Sequence, residues 1–300
     1  MDYLSKFGKV RNSTAGLLLF VAWYISAGVT FLVLQDYFAE AARYMAIIFV
    51  CVLVFFSCAY AASRFFQRVD VVDVAWGPSF LVAMGTAFVI SPYSLTFGLN
   101  IQTLVAILVT IWALRLSYSI GSRLVRTTED KRYIELRKHW KGNLALNTYM
   151  RIFVLQAVLV TVTSVALVYI GVSSTAQMSI LGYVGAAVWT VGFLFEAIGD
   201  KQLKHHLQKA DQRGRLLKTG LRRLTRHPSY FGESVMWWGI FIVALSASYG
   251  WVAIITPVII TYLLLFVSGV PLAEESMRKK PGWHEYQRRT SVFFPLPPKE

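Results

Sequence analysis

The sequence predicts an all-α polytopic membrane protein, a bundle of about eight transmembrane helices with both termini in the cytosol. Three observations carry this. Hydrophobic residues make up 56 % of the 300 positions and mean hydropathy is +0.52, while charged residues are only 15 %; a soluble domain carries about 25 % charge. The apolar residues gather in runs near the ~20 residues that a helix needs to cross a bilayer. The 30 Lys and Arg, which dominate a net charge of +14, fall almost entirely into alternate loops. Disorder is excluded by the excess of apolar surface, and a compact water-soluble enzyme is disfavoured.

The candidate spans follow in order. The first, 14–34, comes after Lys6, Lys9 and Arg11 and imitates a signal peptide. It is too long for an h-region and no Ala-x-Ala site follows, so it reads as retained. The second, 44–62, holds Cys51 and Cys58, seven apart in one apolar run. They read as small buried residues, since neither a disulfide framework nor a zinc spacing is present. The third, 72–90, begins with Asp73, and the fourth, 99–120, carries Arg115 near its end. The fifth and sixth are 152–170 and 180–198, the latter closing on Glu196. The seventh, 234–245 with its flanks, is the shortest, and Glu233 marks its start. The eighth is 251–270. The whole chain, 1–300, reads as one integral membrane domain.

The charged loops fix the expected topology. Three bases precede the first span, two lie at 63–71, eight at 121–151, nine at 199–233 and six after 270. The intervening loops at 91–98, 171–179 and 246–250 carry none, and 35–43 carries Arg43 alone. Such alternation is the positive-inside pattern, which requires an even number of crossings with both ends cytosolic. A nucleic-acid binder would gather its bases in a soluble domain, and none is present. Leucines among the bases of 199–218 suggest an interfacial helix lying on the membrane surface. The five histidines form no metal signature.

Ionisable groups within spans are costly and tend to be functional. Asp73 and Arg115 both lie in the cytosolic half, so they can meet as a structural pair or in a site. Glu196 and Asp200 are four apart, hence on one helical face. A polar chamber opening to the cytosol is implied. The strongest string runs from Thr219 to Glu233. Gly220 permits a turn there, and His227-Pro228 reads as a helix start, because Pro is favoured at the first helical position. A helix N-terminus offers free N–H groups to an anion. Arg215, Arg222, Arg223, Arg226 and His227 crowd the same place. A dinucleotide with a pyrophosphate and a further ribose phosphate would justify so many cations; the alternative is that they enforce topology or touch anionic membrane lipid. No Gly-x-Gly-x-x-Gly follows a strand, so a Rossmann domain is not expected. In the tail, Glu274 and Glu275 follow the last span, and Tyr286, Arg288 and Arg289 are placed either to close a lid or to form a charged amphipathic surface segment.

Taken in order, Asp73-Val-Ala-Trp-Gly77, Glu129-Asp-Lys-Arg-Tyr133, Asp200, Arg226-His-Pro-Ser-Tyr-Phe-Gly-Glu233 and the tail Tyr286-Gln-Arg-Arg-Thr-Ser-x-Phe-x-Pro resemble the steroid 5-alpha-reductase-like membrane proteins, in their bacterial-type branch. The likeness runs from about 65 to 298. It implies two N-terminal spans (1–63) and a reductase-like core (64–300) that buries NADPH between its C-terminal spans and cytosolic loops. By motif position Asp200, Arg215 and Ser229 look like cofactor contacts, with Asn commoner in the family where this chain has Ser229. Glu196, Arg226, His227, Tyr230, Glu233, Glu274 and Tyr286 complete the expected cofactor set. Where characterised steroid reductases grip the substrate carbonyl with a Glu and a Tyr, Asp73 is the nearest acid here, and Trp112 or Tyr118 stands at the other wall.

The function expected is reduction of an activated C=C bond in a lipid or sterol-like enone that enters from the bilayer, with Asp73, Arg115 and Tyr118 as catalytic candidates. If Asp73 is protonated it donates to the carbonyl; if it pairs with Arg115, Tyr118 is the better donor. Two alternatives stand beside this. One is a membrane methyltransferase using S-adenosylmethionine, of the isoprenylcysteine carboxyl methyltransferase type, to which the Arg-His-Pro-x-Tyr string and the Glu pair also correspond. The other is a non-catalytic lipid-binding protein. A cytosol-facing site fits a bacterial inner membrane or the endoplasmic reticulum.

Overall fold

The computed structural model describes residues 14–93, 98–173, 177–212 and 214–299, with side chains from residue 39 onward except that of Ala210. Lys6, Lys9 and Arg11, and the side chains of the 14–34 span, lie outside the described residues. The chain forms two compact units, Met1–Ala46 and Ile47–Glu300. Helix α1 runs Thr14–Phe65. Within the first unit the Tyr44 hydroxyl donates to Glu40, one turn earlier, at 2.7 Å.

The second unit takes in residues 47–63, which the family likeness had grouped with the N-terminal spans. Ile48, Val52 and Phe56, spaced four apart, are fully buried. On the same stretch Ser57 Oγ and the Tyr149 hydroxyl share a hydrogen bond of 2.9 Å, and the Tyr60 hydroxyl donates to the Ala145 carbonyl at 3.0 Å. Only one stripe of the helix is covered, so Cys58 is exposed and Cys51 half-buried, contrary to the expectation that both are buried.

Six helices of the described residues are long and apolar enough to cross a membrane: Ala39–Phe65, Val71–Ile90 (α2), Ile101–Leu124 (α3), Leu144–Thr163, Ile180–Gln208 and Gly250–Arg278. With no strand among the described residues, the fold is an all-α polytopic membrane bundle. A surface helix, α4, spans Lys131–Lys138. Three expectations shift. The fifth span, α5, starts at Leu144, because Asn143 caps it by accepting from the Leu146 N–H at 3.1 Å. It stops at Thr163, where Ser164 turns the chain into a separate helix, α6, Val165–Val172. The Ala166 N–H freed at that break donates to Thr256 Oγ1 at 2.9 Å. The segment 199–218 is not an interfacial helix: α7, Ile180–Gln208, continues unbroken past Gly199, since no residue stops it before Lys209. The seventh apolar stretch lies in α8, Pro228–Ala244, of 17 residues. Glu233 therefore sits inside α8 rather than at its start.

Glycines set the closest helix contacts. On α7, Gly185 and Gly192 are seven apart, as are Gly232 and Gly239 on α8. A Cβ on Gly192 would stand 2.5 Å from the Gly232 carbonyl oxygen, and one on Gly232 would stand 2.4 Å from that of Gly192. Gly185 and Gly239 repeat this at 2.6 and 2.7 Å. The pairs run in opposite directions along the chain, so α7 and α8 are antiparallel, backbone against backbone, as small residues allow in membranes. Helices α2 and α3 also pair antiparallel: Ser117 Oγ donates to the Val74 carbonyl at 3.0 Å, and a Cβ on Gly77 would meet the Ala113 oxygen at 2.9 Å. Phe80, Trp112 and Trp237 then interlock α2, α3 and α8, with ring centroids 5.0–5.5 Å apart.

The loops flanking α2 and α3 are clamped by charge. Arg68 holds Asp70 through two hydrogen bonds of 3.0 and 2.9 Å and donates to the carbonyls of Leu124 and Thr127. Asp70 also accepts the Asp130 N–H at 2.9 Å, and Glu129 accepts the Val69 N–H at 2.7 Å. Burial works against the charge on Asp70, but Arg68 and the Asp130 amide together hold its carboxyl below the usual range.

Two outcomes are expected. Gly192→Leu should lower stability by about 1–3 kcal/mol or more through overpacking, read as a fall in melting temperature in detergent. Gly85→Ala, where a Cβ meets nothing within 4 Å, should not. Because the folded pKa of Asp70 is depressed, its contribution is full above the unfolded value of about 3.9 and is lost as pH falls through the folded value. Acid unfolding curves should therefore flatten below about pH 4 in Asp70→Asn.

Candidate functional site

The α7–α8 contact brings four charged groups together inside the bundle. Glu196 and Asp200 lie one turn apart on α7, and Ser229 and Glu233 one turn apart on α8. Ser229 Oγ donates to Asp200 Oδ1 at 2.7 Å. Arg115 reaches across from α3, with one terminal nitrogen on Asp200 Oδ2 at 3.0 Å and the other on Glu196 Oε1. The Arg115 guanidinium also stands 5.6 Å from the Phe193 ring centroid. The Glu196 side chain is only 3 % exposed, and its second oxygen, Oε2, has no hydrogen-bond partner. Arg115 Nε and the indole Nε1 of Trp112, one turn earlier on α3, are likewise buried without partners. Glu233 has Asp200 and Arg115 as its electrostatic neighbours and makes no hydrogen bond or ion pair among the described residues.

The Asp73–Arg115 pair is not formed. Arg115 is taken by the α7 acids, because the close α7–α8 contact presents them to its face of α3. Asp73 accepts instead from the Tyr133 hydroxyl at 2.5 Å and from Arg132 at 3.4 Å, both on α4. Burial and the adjoining Asp73 push the Tyr133 phenol up, so it remains a donor. Asp73 borders a cavity of about 260 Å³ with Arg123, Thr128 and Lys131. Tyr118 is 74 % exposed and turned out of the bundle, away from these groups. Tyr230 is an electrostatic neighbour of Glu233, Arg132, Arg222 and Asp200. Its ring stacks on His227, with centroids 5.5 Å apart.

Other expected cofactor residues form a separate, closed cluster. His227 caps α8 with Pro228 in its first turn, as the sequence suggested. Arg226 donates to Glu274 at 2.8 Å and to the carbonyls of Gln287 and Thr290. His227 Nε2 lies 3.3 Å from the same Glu274 oxygen. Burial pushes the His227 imidazole down despite Glu274, so it is neutral at pH 7. Tyr286, on the helix Trp283–Arg289, donates to the Arg222 carbonyl at 2.7 Å, and burial pushes its phenol up to about 12. Arg226, Glu274 and Tyr286 thus hold the tail to the start of α8.

Arg215 is exposed; its carbonyl, not its side chain, is held, by His206 and Lys280. With Arg222 and Leu217 these three border a hollow of about 30 Å³. Arg222 is buried and its Nε has no partner. Tyr133, Arg132 and the buried role of Arg222 were missed from sequence. The Gly spacing of seven on both helices was the available signal for which acids would face each other.

No curated protein and no solved structure matches the chain. A family model described as a protein of unknown function, DUF1295, matches residues 59–290, which is well over half of the sequence. The motifs that define the site, from Asp73 to Tyr286, all fall inside that match, and the chain belongs to the DUF1295 family.

Proposed function

We propose that the chain is a membrane-embedded NADPH-dependent reductase of an activated C=C bond in a lipid or steroid-like enone. The reading rests on the ordered motifs and on the association of DUF1295 with steroid 5-alpha-reductase-like proteins. The observation that carries it is the Asp200–Ser229 hydrogen bond across α7 and α8, beside a buried, unpartnered oxygen of Glu196.

The residues present fit the cofactor at two places. Glu196, Asp200 and Glu233 offer acceptors to amide and hydroxyl groups. The unpartnered Arg222 Nε–H, with Arg215, Lys280 and His206 round one hollow, suits phosphate oxygens. As it stands that hollow takes about one water, so the exposed 214–220 loop must give way. When bound, NADPH supplies hydride to the β carbon of the enone. Arg115 holds Glu196 and Asp200 in register, and Ser229 orients Asp200. The Tyr230 hydroxyl, with Glu233, Arg132 and Asp200 among its electrostatic neighbours, stabilises negative charge developing on the carbonyl oxygen and gives its proton. Asp73, held by Tyr133 and Arg132, acts as an orienting group rather than as the partner of Arg115.

A second reading, methyl transfer from S-adenosylmethionine, draws on one observation: three carboxylates around a single guanidinium suit a sulfonium cation. Glu274, which the same reading needed, is already engaged by Arg226 and His227.

The test is a titration of the purified protein in detergent with NADPH, NADH and S-adenosylmethionine, followed by thermal shift. NADPH should stabilise, and Asp200→Ala and Arg215→Ala should each weaken its binding about tenfold, the loss of roughly 1.4 kcal/mol. Saturable binding of S-adenosylmethionine alone overturns the reductase in favour of the methyltransferase, and silence towards all three leaves a lipid-binding protein. In a turnover assay with a flat cyclic enone, Tyr230→Phe should lower kcat at least about a hundredfold with NADPH affinity little changed.

A further inference from the structure

We propose that the cavity between the start of α2, the end of α3 and residues 127–131 binds a phosphate group, carried by a soluble phosphate monoester or by a lipid headgroup. It measures about 260 Å³, close to the ~300 Å³ at which small-molecule sites begin. It shares no lining residue with the hollow at Arg222, and neither Arg115 nor the acids that Arg115 holds line it. Four other acids border it, and all are already matched. The two oxygens of Asp70 accept from Arg68 at 3.0 and 2.9 Å. Those of Asp73 accept from Tyr133 and Arg132. Glu129 accepts from the Val69 N–H and from Arg137. Asp130 accepts from the Arg132 N–H at 2.9 Å and from the Arg132 side chain. No carboxylate oxygen on the border is left without a donor.

What stays open are donors. Arg123 and Lys131 border the cavity, and the side chain of neither makes a hydrogen bond or ion pair among the described residues. The Thr128 hydroxyl and the backbone N–H groups of Thr128, Glu129 and Lys131 are equally unengaged. Neighbouring backbone amides of this kind form anion-binding concavities, and phosphate oxygens take charge-assisted hydrogen bonds from guanidinium and ammonium groups. The Lys131 amide also opens α4, where the helix carries its partial positive charge. Charge balance permits the anion. Arg68, Arg132 and Arg137 are spent on the four acids, and Arg123 and Lys131 bring the bases to five. A cationic ligand would find no carboxylate oxygen free of a donor, and an apolar one would leave the open donors unmatched.

The test uses the full chain in phosphatidylcholine nanodiscs and follows thermal shift. One arm titrates inorganic phosphate and glycerol 3-phosphate at constant ionic strength; the other titrates phosphatidic acid into the nanodisc bilayer. Saturable stabilisation in the first arm identifies a soluble monoester. Stabilisation in the second, with loss of the response to soluble phosphates, identifies the headgroup. In the arm that responds, Arg123→Gln and Lys131→Gln should each weaken binding about tenfold without moving the melting temperature of the unliganded protein. Arg126→Gln, an exposed base off the cavity border, should leave binding alone. An equal loss in Arg126→Gln reduces the effect to diffuse surface charge and overturns the proposal, as does a saturable response in neither arm or one that both border variants keep. The inference does not rest on the reductase reading. If NADPH loses as much affinity as phosphate in Arg123→Gln and Lys131→Gln, the cavity belongs to the nucleotide and the proposal falls while that reading stands. A protein that binds phosphate here but not NADPH has the reverse consequence.

Discussion

The contact on which the site depends is between two backbones. Gly192 and Gly232 face each other so closely that a methyl group on either would overlap the other's carbonyl. Gly185 and Gly239 do the same two turns away. In a bilayer, helices gain little from burying apolar side chains, so close approach of small residues supplies the packing. That approach has a price in electrostatics. It fixes the rotation of α7 and α8 about their axes, and the same rotation that aligns the glycines turns Glu196 and Asp200 towards Ser229 and Glu233. Carboxylates driven together in a medium of low dielectric repel, and Arg115 is the group that makes the arrangement tolerable.

Charge is partitioned between two clusters with different characters. The cluster of Arg226, Glu274, His227 and Tyr286 is saturated. Its guanidinium meets a carboxylate and two carbonyls, its imidazole is neutral, and its phenol is held as a donor. Such a unit fastens the tail to the start of α8. The Arg115 cluster is unsaturated, with Glu196 Oε2 and Arg115 Nε left over. Buried polar atoms without partners are rare in folded proteins. Three of the five such side-chain atoms among the described residues, Trp112 Nε1, Arg115 Nε and Glu196 Oε2, gather here, whereas Arg222 Nε stands alone beside the tail cluster.

Position along the bundle was legible from sequence, and azimuth was not. Run length and hydropathy located the helices, and the alternation of bases implied that Asp73, Arg115, Glu196 and Asp200 lie towards one end of the bundle. Which of them touch depends on which faces of the helices meet. Asp73 and Arg115 sit on α2 and α3, which are neighbours, yet Arg115 turns towards α7 and Asp73 towards Tyr133 of α4. Tyr118 points out for the same reason: the face that it occupies has no helix against it. The turn at Gly220 and the helix start at His227-Pro228 were readable because local chemistry alone decides them. Residues 199–218 read as a separate surface helix only because their composition changes; nothing before Lys209 ends a helix, so α7 simply carries on past its apolar stretch.

That continuation gives the molecule a polarity along α7. Glu196 sits in the interior, and His206, ten residues later, lies about 15 Å further along the axis. The acids are gathered at the inner level. At the outer level stand Arg222, Arg215 and Lys280, with His206 among them. A compact ligand with its charges close together would meet only one of these levels. The ligand that satisfies both is elongated, anionic at the outer end, and either rich in donors or cationic at the inner end. A dinucleotide has that shape and that order of charge, whereas S-adenosylmethionine carries its sulfonium beside its own carboxylate and has no phosphate for the outer bases. The order of charges along a single helix thus weighs towards the reductase more than the count of charges does, since the count alone would serve either cofactor.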